Sequence, residues 1–326
     1  MTLYPIRFFS IFKEKVWGGS NLRDALGKDA PKGKLIGESW ELVDRGDDVS
    51  VISNGEYKGK TLRDLFDICG RDCLLGSERS LDKFGRFPLL IKFLDAEERL
   101  SVQVHPDDVL AKNFDEADSG KSELWCVLHA SPSARILYGC DRSLKNIDPH
   151  TRLTAEHEEL FRYIPVKCGD IIYIPSGQVH ALLEGCVVLE IQRNSDITYR
   201  LYDWDRAGDD GKPRELHLTK GLQAIGVPQI DEQPVNIFSD YTLASAPLYS
   251  NEFFKIYYNN SSAPYFDSCD GRTFKIIAVV EGEGSVCYGI DNAEISLRVG
   301  DIVLLPASMG GYTIRSDSVI HWLTVC

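Results

Sequence analysis

The hydrophobic and polar positions of residues 101–105 alternate with a period of two, which is the pattern of a β-strand with two unlike faces. On such a strand Gln103 and His105 share one face, and the two valines share the other. Pro106 has no amide proton for a sheet ladder, so the strand is predicted to end before it. An apolar run begins directly after Glu123 and predicts a second strand, which can bring this carboxylate opposite the Gln103/His105 face.

A second histidine comes much later in the chain. Residues 169–180 contain a turn, a short apolar strand and a bend with proline and glycine that ends in His180. An imidazole pair, a carboxylate and an amide oxygen suit a divalent metal such as zinc. The pattern therefore predicts a metal site built from Gln103, His105, Glu123 and His180. A single strand histidine is more commonly a packed core residue, so the prediction depends on the ordered set.

Strand patterns dominate the rest of the chain. Residues 37–43, 87–94 and 185–192 are typical of buried strands, and the second of these carries Lys92. Beyond residue 250, short apolar runs separated by Gly, Asn and Asp turns predict a β-sandwich or barrel. Helix is predicted for residues 62–69 after a Thr61 cap, and in short segments within residues 20–34, 71–84, 141–164 and 220–225.

A repeated motif indicates that the barrel occurs twice. The sequence G-D-I-x-x-x-P is found at residues 169–175 and again at 300–306, but no histidine follows the second copy where His180 follows the first. Residues 226–236 lack clear periodicity and contain two prolines, which favours a linker. We therefore predict a catalytic metal-binding domain at residues 1–235, with helical segments, and a β domain without metal ligands at residues 236–326.

Composition narrows the classes of partner. The chain has 326 residues and a formal net charge of −13, with 36 basic against 49 acidic residues, so nucleic acid and anionic membrane surfaces are not expected partners. No apolar stretch reaches the 18 residues or more of a membrane span, and the N-terminus lacks a signal-peptide pattern. The nine scattered cysteines include no C-x-x-C motif, which favours reduced thiols. These features predict a cytoplasmic protein.

Several ordered segments together resemble the type I mannose-6-phosphate isomerases, in particular their shorter bacterial form. The segments that carry the resemblance are Phe12–Gly19, Gly37-Glu-Ser-Trp40, Phe87–Lys92, Val104-His-Pro-Asp-Asp108, Gly120-Lys-Ser-Glu-Leu-Trp125, Ile174–Ala181, Gln192–Asp196, Tyr199-Arg200 and Pro213–His217. The resemblance implies a mainly β fold of two cupin (jelly-roll) barrels, with a small helical insertion in the N-terminal half. It also implies one zinc ion per chain and the interconversion of mannose 6-phosphate with fructose 6-phosphate.

Residue roles follow from the same resemblance. The family's metal ligands fall on His105, Glu123 and His180, and Gln103 matches the amide ligand of the longer members. The family's active-site arginine falls on Arg200, its pocket lysine on Lys121, and a carboxylate implicated in opening the sugar ring on Asp196. Trp17 and Lys92 are further candidates for contact with the substrate, although a place in the apolar core is the favoured interpretation for Trp17 and Trp40. The candidate catalytic residues are thus Arg200, Lys121 and Asp196, and the candidate substrate-binding residues are Lys121, Trp17 and Lys92.

Some alternatives stay open at this stage. Aldose–ketose isomerisation needs a general base at C2, and Asp196, Glu190 and Glu215 are all chemically able. Arg200 could instead form an ion pair with Asp203 or Asp205. A metal-binding cupin could also be an iron-dependent oxidoreductase or a sugar-phosphate binding module without turnover, because a fold alone does not determine a reaction. The sequence gives no indication of the oligomeric state.

Overall fold

The structure is a computed structural model that describes residues 3–208, 211–226, 229–231, 233–239 and 246–326. The strands, in chain order, are β1 (Ile11–Gly19), β2 (Ile36–Leu42), β3 (Asp44–Arg45), β4 (Asp48–Val49), β5 (Leu89–Ala96), β6 (Val102–Val104), β7 (Glu123–Ala130), β8 (Arg135–Cys140), β9 (Phe161–Pro165), β10 (Asp170–Ile174), β11 (His180–Leu182), β12 (Cys186–Arg193), β13 (Tyr199–Tyr202), β14 (Val235–Asn236), β15 (Tyr249–Ser250), β16 (Lys255–Ser261), β17 (Tyr265–Cys269), β18 (Lys275–Glu281), β19 (Glu283–Tyr288), β20 (Ala293–Arg298), β21 (Ile302–Leu305), β22 (Gly310–Arg315) and β23 (Ile320–Val325).

Helices are few and short. They are α1 (Asn21–Asp24), α2 (Leu62–Cys69), α3 (Arg71–Leu75), α4 (Asp108–Asn113) and α5 (Leu218–Ala224), with 3₁₀ helices at Arg142–Asn146 and Ala155–Leu160. The predicted helix at residues 62–69 is confirmed, and Thr61 and Asp64 form a reciprocal capping box at its start. The helical segment predicted within residues 141–164 takes the tighter 3₁₀ form. The mainly β fold is confirmed, and no helix of the described ranges is long and apolar enough to cross a membrane.

The chain forms two compact units. The first comprises residues 12–40 together with the described part of 89–240, and the second comprises the described parts of 1–11, 41–88 and 241–326. Each unit is therefore discontinuous along the chain, whereas the boundary predicted between residues 235 and 236 follows chain order. Three residues of the predicted 226–236 linker, at positions 227, 228 and 232, lie outside the described residues.

The first unit contains a seven-stranded sheet, in the order β1-β2-β5-β12-β7-β10-β14, and a five-stranded sheet, in the order β13-β6-β11-β8-β9. One apolar core contains side chains of both sheets, including Trp125 and Val188 from the larger sheet and Ile136 and Leu182 from the smaller one. A second core contains the valines of β6 and the buried face of α5. This two-sheet packing is that of a jelly-roll barrel.

The second unit repeats the arrangement. A five-stranded sheet, in the order β15-β16-β23-β18-β21, and a four-stranded sheet, in the order β17-β22-β19-β20, enclose one apolar core that contains Trp322 and Ile314. Helices α2 and α3 belong to this unit.

The two glycines at the end of β1 occupy crowded positions in the first unit. A Cβ atom on Gly18 would lie 2.4 Å from the backbone nitrogen of Gly37, and one on Gly19 would lie 2.9 Å from the Asp95 carboxylate. Only glycine permits so close an approach. The glycine pair therefore lets the end of β1 pack closely against the backbone of β2 and the Asp95 side chain.

Candidate metal centre and active site

The predicted metal ligands converge from both sheets of the first unit. Gln103 lies in the middle of β6, and His105 follows the end of that strand. His180 begins β11, and its Cα lies opposite that of Gln103 in the ladder. Glu123 begins β7 in the other sheet. The alternation of β6 buries its two valines in the α5 core, so Gln103 faces the other way, as the sequence pattern predicts.

His105, Glu123 and His180 form a compact buried cluster. His105 Nε2 lies 3.4 Å from Glu123 Oε2, and His180 Nε2 lies 3.3 Å from Glu123 Oε1. The potential ligand atoms of the three residues lie within 4.8 Å of one another, and each residue is fully buried. This spacing allows one cation to contact all three side chains.

Backbone carbonyls orient both imidazoles. His105 Nδ1 lies 2.8 Å from the Ile197 carbonyl oxygen, and His180 Nδ1 lies 2.9 Å from the Gln178 carbonyl oxygen. Because a carbonyl only accepts, each Nδ1 carries the proton and each Nε2 presents its lone pair towards Glu123. This is how metal-bound histidines are commonly held.

The cluster fits a divalent cation on the evidence of its unpaired polar atoms. Among the described residues, His105 Nε2 and Glu123 Oε1 lack a hydrogen-bond partner despite their burial, and Glu123 Oε2 is paired with the Lys121 ammonium group at 2.9 Å. Burial and the nearby Lys121 ammonium lower the pKa of His105 to about 3, so its imidazole is neutral at physiological pH. Burial alone would raise the pKa of Glu123, but Lys121 and His105 outweigh it and hold the pKa well below its ordinary value. Two imidazoles and a carboxylate form a donor set that zinc commonly takes.

The side-chain amide of Gln103 adjoins this cluster. Its Nε2 lies 3.2 Å from His180 Nε2. Rotation of the amide by 180° exchanges its oxygen and nitrogen with little change in shape, so the same position can present Oε1 to a cation. Ligation by Gln103 remains a prediction.

The other predicted site residues line a single cavity of about 300 Å³ next to the cluster. This volume is at the small end of the range for ligand pockets, about 300–1,000 Å³. The predicted residues that line it are Trp17, Lys92, Gln103, Lys121, Asp196 and Arg200. Trp17 belongs to the apolar core and also lines the cavity, so its contact with the substrate stays a prediction, whereas Trp40 is buried and does not line the cavity.

Charged side chains alternate in sign along the cavity floor. Lys121 Nζ lies 2.9 Å from Glu123 Oε2 and 3.5 Å from Glu190 Oε1, and Lys92 Nζ lies 3.2 Å from the same Glu190 oxygen. Burial opposes the charge on each lysine, but the adjacent carboxylates outweigh it and raise the pKa of both ammonium groups. Burial and the Glu123 carboxylate raise the pKa of Glu190. Lys121 thus carries a full positive charge next to a predicted metal ligand.

Arg200 occupies the opposite wall of the cavity. Its Cα lies opposite that of Gln103 between β13 and β6. Its guanidinium group donates to Ser101 Oγ at 3.2 Å and to the Glu215 carbonyl oxygen at 2.8 Å, and no carboxylate of the described residues pairs with it. Asp203 pairs with Arg206 and Arg214 instead, and Asp205 pairs with Arg152. Arg200 can therefore offer its charge to an anionic ligand.

The structure also separates the three candidate bases. Glu190 and Asp196 line the cavity, whereas the side chain of Glu215 is 83% exposed and does not line it. Glu190 is buried, and Asp196 is exposed at the cavity edge. His217 binds Arg200 through the main chain, since its amide donates to the Arg200 carbonyl oxygen at 2.8 Å.

Seven lining residues were not singled out from the sequence: Lys15, Glu38, Leu94, Leu100, Ser101, Thr198 and Arg214. Lys15 and Glu38 both fall inside segments that carry the family resemblance, at residues 12–19 and 37–40. Strand periodicity gave no reason to single them out, because their contribution depends on how β1 and β2 join the sheet beside β5. Ser101 lies two residues before Gln103, so the alternation of that strand could have indicated it.

Comparison with known proteins supports a family assignment. Residues 6–121 match the sequence pattern of the phosphomannose isomerase type I catalytic domain. The chain is 37% identical over 322 residues to the mannose-6-phosphate isomerase ManA of Bacillus subtilis, with 97% of each chain covered. It also resembles the crystal structure of the mannose 6-phosphate isomerase from Bacillus subtilis, with a TM-score of 0.84, 34% identity and coverage of 99% of this chain and 100% of that chain.

A more distant structural neighbour is a mannose 6-phosphate isomerase bound with zinc and yttrium, with a TM-score of 0.70 and 16% identity over 98% of this chain and 99% of that chain. At that identity the similarity extends to the fold alone. The 37% identity to ManA extends over nearly the full length of both chains and shows more than a shared fold. The chain belongs to the type I phosphomannose isomerase family.

Proposed function

We propose that the protein is a zinc-dependent aldose–ketose isomerase that interconverts mannose 6-phosphate and fructose 6-phosphate. The observation that carries the proposal is the buried cluster of His105, Glu123 and His180, which adjoins a cavity lined by cationic side chains. Membership of the family supports the same reaction. The reaction moves a proton between C1 and C2 of the open-chain sugar and passes through an enediol or enediolate.

One zinc ion per chain would be held by His105, Glu123 and His180, with Gln103 as the proposed fourth ligand. Bound zinc would supply Lewis-acid polarisation of the sugar oxygens at C1 and C2. The donor set supports this proposal, because His105 Nε2 and Glu123 Oε1 are buried without a hydrogen-bond partner among the described residues. The carbonyls of Ile197 and Gln178 would keep both imidazoles oriented during turnover.

Arg200 and Lys121 are the proposed electrostatic catalysts. Negative charge develops on the sugar oxygens when the C–H proton leaves, and fixed cations in a buried site stabilise such charge strongly. Arg200 is anchored by Ser101 and has no competing carboxylate among the described residues. Lys121 is held against Glu123 and Glu190, so its ammonium group needs little reorganisation. Trp17 and Lys92 are proposed to contact the substrate from the cavity wall formed by the seven-stranded sheet.

The general base is proposed to be Glu190 or Asp196, because both line the cavity and Glu215 does not. Asp196 is also the proposed carboxylate for ring opening, since it lies at the cavity edge where the cyclic sugar enters. Its backbone amide donates to Asp118 Oδ2 at 3.1 Å, which anchors the segment that carries it. Substitution of each carboxylate by its amide distinguishes the two roles: ring opening is bypassed by an open-chain substrate, and loss of the base is not.

The remaining assignments follow from the substrate and the composition. We propose a cytoplasmic location, where hexose phosphates are available. The partner is a small sugar phosphate rather than nucleic acid or a membrane, in keeping with the net charge of −13.

The test is incubation of the zinc-loaded protein with mannose 6-phosphate in D₂O, with the products followed by NMR. We expect fructose 6-phosphate to form without an added oxidant and deuterium to enter at C1 or C2 when the base exchanges with solvent. Binding without any product would favour a sugar-phosphate binding module, and formation of an oxidised sugar would favour an iron-dependent oxidoreductase. Either result contradicts the proposed isomerase.

A further inference from the structure

Glu38 is a buried carboxylate in the cavity wall to which the mechanism above assigns no role. Its Oε1 lies 3.2 Å from Lys15 Nζ, and its Oε2 lies 3.8 Å from Lys92 Nζ. Trp40 Nε1 donates to Oε2 at 2.6 Å, which fixes the orientation of the carboxylate. Glu38, Lys15 and Lys92 all line the cavity. The ionised Glu38 carboxylate therefore lies between two cations in the wall of the cavity that would hold a ligand.

The sheet order places this group away from the metal cluster. Lys15, Glu38 and Lys92 lie on β1, β2 and β5, whereas Glu123 lies on β7. In the order β1-β2-β5-β12-β7, strand β2 is three positions from β7, which corresponds to about 14 Å along the sheet. If C1 and C2 of the sugar lie at the metal cluster, the phosphate on C6 points towards this far end. Arg200 lies at the near end, because its Cα faces that of Gln103.

The charges of the lining residues bear on which anion fits. Five cationic side chains line the cavity: Lys15, Lys92, Lys121, Arg200 and Arg214. Three carboxylates line it, namely Glu38, Glu190 and Asp196, and the formal surplus of two positive charges is offset by Glu123 and Asp203, which pair with Lys121 and Arg214 from outside the lining. A phosphate monoester carries close to two negative charges at neutral pH, since its second pKa is about 6. Loss of the Glu38 charge would raise the net positive charge at the far end of the cavity by one.

We infer that Glu38 is a specificity-determining residue whose carboxylate, by neutralising Lys15 and Lys92, sets the number of negative charges that the far end of the cavity accepts on the sugar ligand. The inference rests on the proposed function, because that function defines which end of the cavity receives the phosphate. Glu38 acts here through the two lysines, and it need not touch the ligand.

The physical expectation is a change in discrimination between ligands of equal shape and different charge. One additional unneutralised positive charge attracts a dianion about twice as strongly as a monoanion at the same place. At a partly screened site several ångströms away, this difference corresponds to about a tenfold change in relative affinity. A purely structural defect would weaken both ligands by similar factors.

The experiment is titration calorimetry of the zinc-loaded protein with a hexitol 6-phosphate and the matching hexitol 6-sulfate. The two ligands have the same shape, but the phosphate is a dianion at pH 7.5 and the sulfate is a monoanion. Neither has the carbonyl group, so neither can be isomerised. Glu38→Gln is expected to raise the preference for the phosphate over the sulfate about tenfold relative to the wild type, and Lys15→Gln is expected to lower it.

The matched control is Glu14→Gln. Glu14 lies on the same strand as Lys15, pairs with Lys34 and has a side chain that is 57% exposed, so this variant changes the net charge equally without altering the cavity. An unchanged phosphate-to-sulfate preference in Glu38→Gln, or a change equal to that of Glu14→Gln, would overturn the inference. Lys15→Gln gives a separate test on a side chain that is 36% exposed, should Glu38→Gln fail to fold. In that case an unchanged preference in Lys15→Gln would overturn it.

The outcomes for the inference and for the proposed function can be told apart. A wild-type protein that binds the hexitol phosphate but forms no fructose 6-phosphate contradicts the proposed isomerase and leaves the charge preference measurable. A wild-type protein that binds neither hexitol contradicts the assignment of the far end as an anion site and overturns the inference.

Discussion

The side chains of the cavity combine strong charge with almost complete burial. Lys121, Glu123 and Glu190 are each less than 5% exposed, and the Lys121 ammonium group lies 2.9 Å from the Glu123 carboxylate and 3.5 Å from that of Glu190. Buried ion pairs contribute little net stability compared with apolar packing, because desolvation offsets the attraction. Their retention here is consistent with a chemical role, in which fixed charges act on a substrate.

Replacement of Arg200 by alanine is expected to leave zinc content and fold unchanged and to lower kcat by about 10²- to 10³-fold, the usual effect of removing one preorganised charge donor. The measurements are elemental analysis, thermal unfolding and the isomerase rate on one preparation. Arg152→Ala is the control, because Arg152 pairs with Asp205 and its side chain is 60% exposed. A near-normal rate in Arg200→Ala would demote Arg200 to a structural role.

Glu38 also makes the stability of the protein depend on pH. Burial alone would raise the pKa of Glu38, but Lys92 and Lys15 outweigh it and lower the pKa from 4.5 to about 2. Because the folded-state pKa is depressed, the ionised carboxylate stabilises the fold above pH 4.5, and this contribution is lost as the pH falls towards 2. Glu38→Gln should therefore lower the free energy of unfolding by about 3 kcal/mol at neutral pH.

The difference between Glu38→Gln and the wild type should narrow as the pH falls below 4.5. Urea unfolding at pH 6 and pH 3.5 measures it, with Glu14→Gln as the control that should differ little from the wild type at both pH values. A constant difference across this range would show that Glu38 contributes through packing rather than charge.

At the scale of elements, three strands position the predicted metal ligands. Strands β6 and β11 hold Gln103 and His180 opposite each other, and β7 begins at Glu123. The loop before β7 returns closely past the end of β6, since the Lys121 amide donates to the Pro106 carbonyl oxygen at 3.0 Å. Gly120 permits this approach, because a Cβ atom there would lie 2.4 Å from the carbonyl carbon of Asp107.

Gly120→Ala is therefore expected to displace the backbone that carries Lys121 and to reduce kcat/KM at least tenfold, because small misplacements of catalytic groups are costly. Steady-state kinetics with zinc analysis measures the effect. Gly311→Ala is the control, since no atom lies within 4 Å of its added Cβ. Equal activity in both variants would contradict the positioning role of this loop.

The sequence predicted this part of the structure well, for a local reason. Alternation determines which face Gln103 and the valines of β6 take, Pro106 ends the strand, and Thr61 caps its helix, so each prediction depended on a few adjacent residues. Lys15 and Glu38 could not be predicted in this way. They enter the cavity because β1 and β2 lie next to β5, and this order of strands results from pairing across about 50 residues of intervening chain.

At the scale of the molecule, chain order and compact units differ. Every proposed site residue precedes residue 235, and the catalytic domain at residues 1–235 stays a prediction. Residues 41–88 nevertheless group with the C-terminal strands. The rings of Phe87 and Phe274 lie 5.0 Å apart, and the Phe274 amide donates to the Leu75 carbonyl oxygen at 2.9 Å.

A chain that ends at residue 235 is therefore expected to lose cooperative unfolding. Leu74, Leu75 and Phe87 are fully buried in the whole chain, and the truncation would expose them to solvent. Calorimetry and amide-proton dispersion by NMR would measure this. A truncated chain that unfolds in one sharp transition and turns over mannose 6-phosphate would instead support residues 1–235 as an independent domain.

The central claim is that the cluster of His105, Glu123 and His180 binds the one zinc ion on which isomerase activity depends. His180→Ala removes one ligand, and His129→Ala is its control, because His129 is exposed on the strand that begins with Glu123. The control should behave like the wild type, and His180→Ala should lose zinc and activity together.

The most direct measurement is the titration of metal-free protein with zinc while the rate of fructose 6-phosphate formation is recorded. We expect no activity without metal, a linear rise to a plateau at one equivalent per chain, and no rise in His180→Ala. Full activity in the metal-free protein, or an activating titration that is unchanged in His180→Ala, would contradict it.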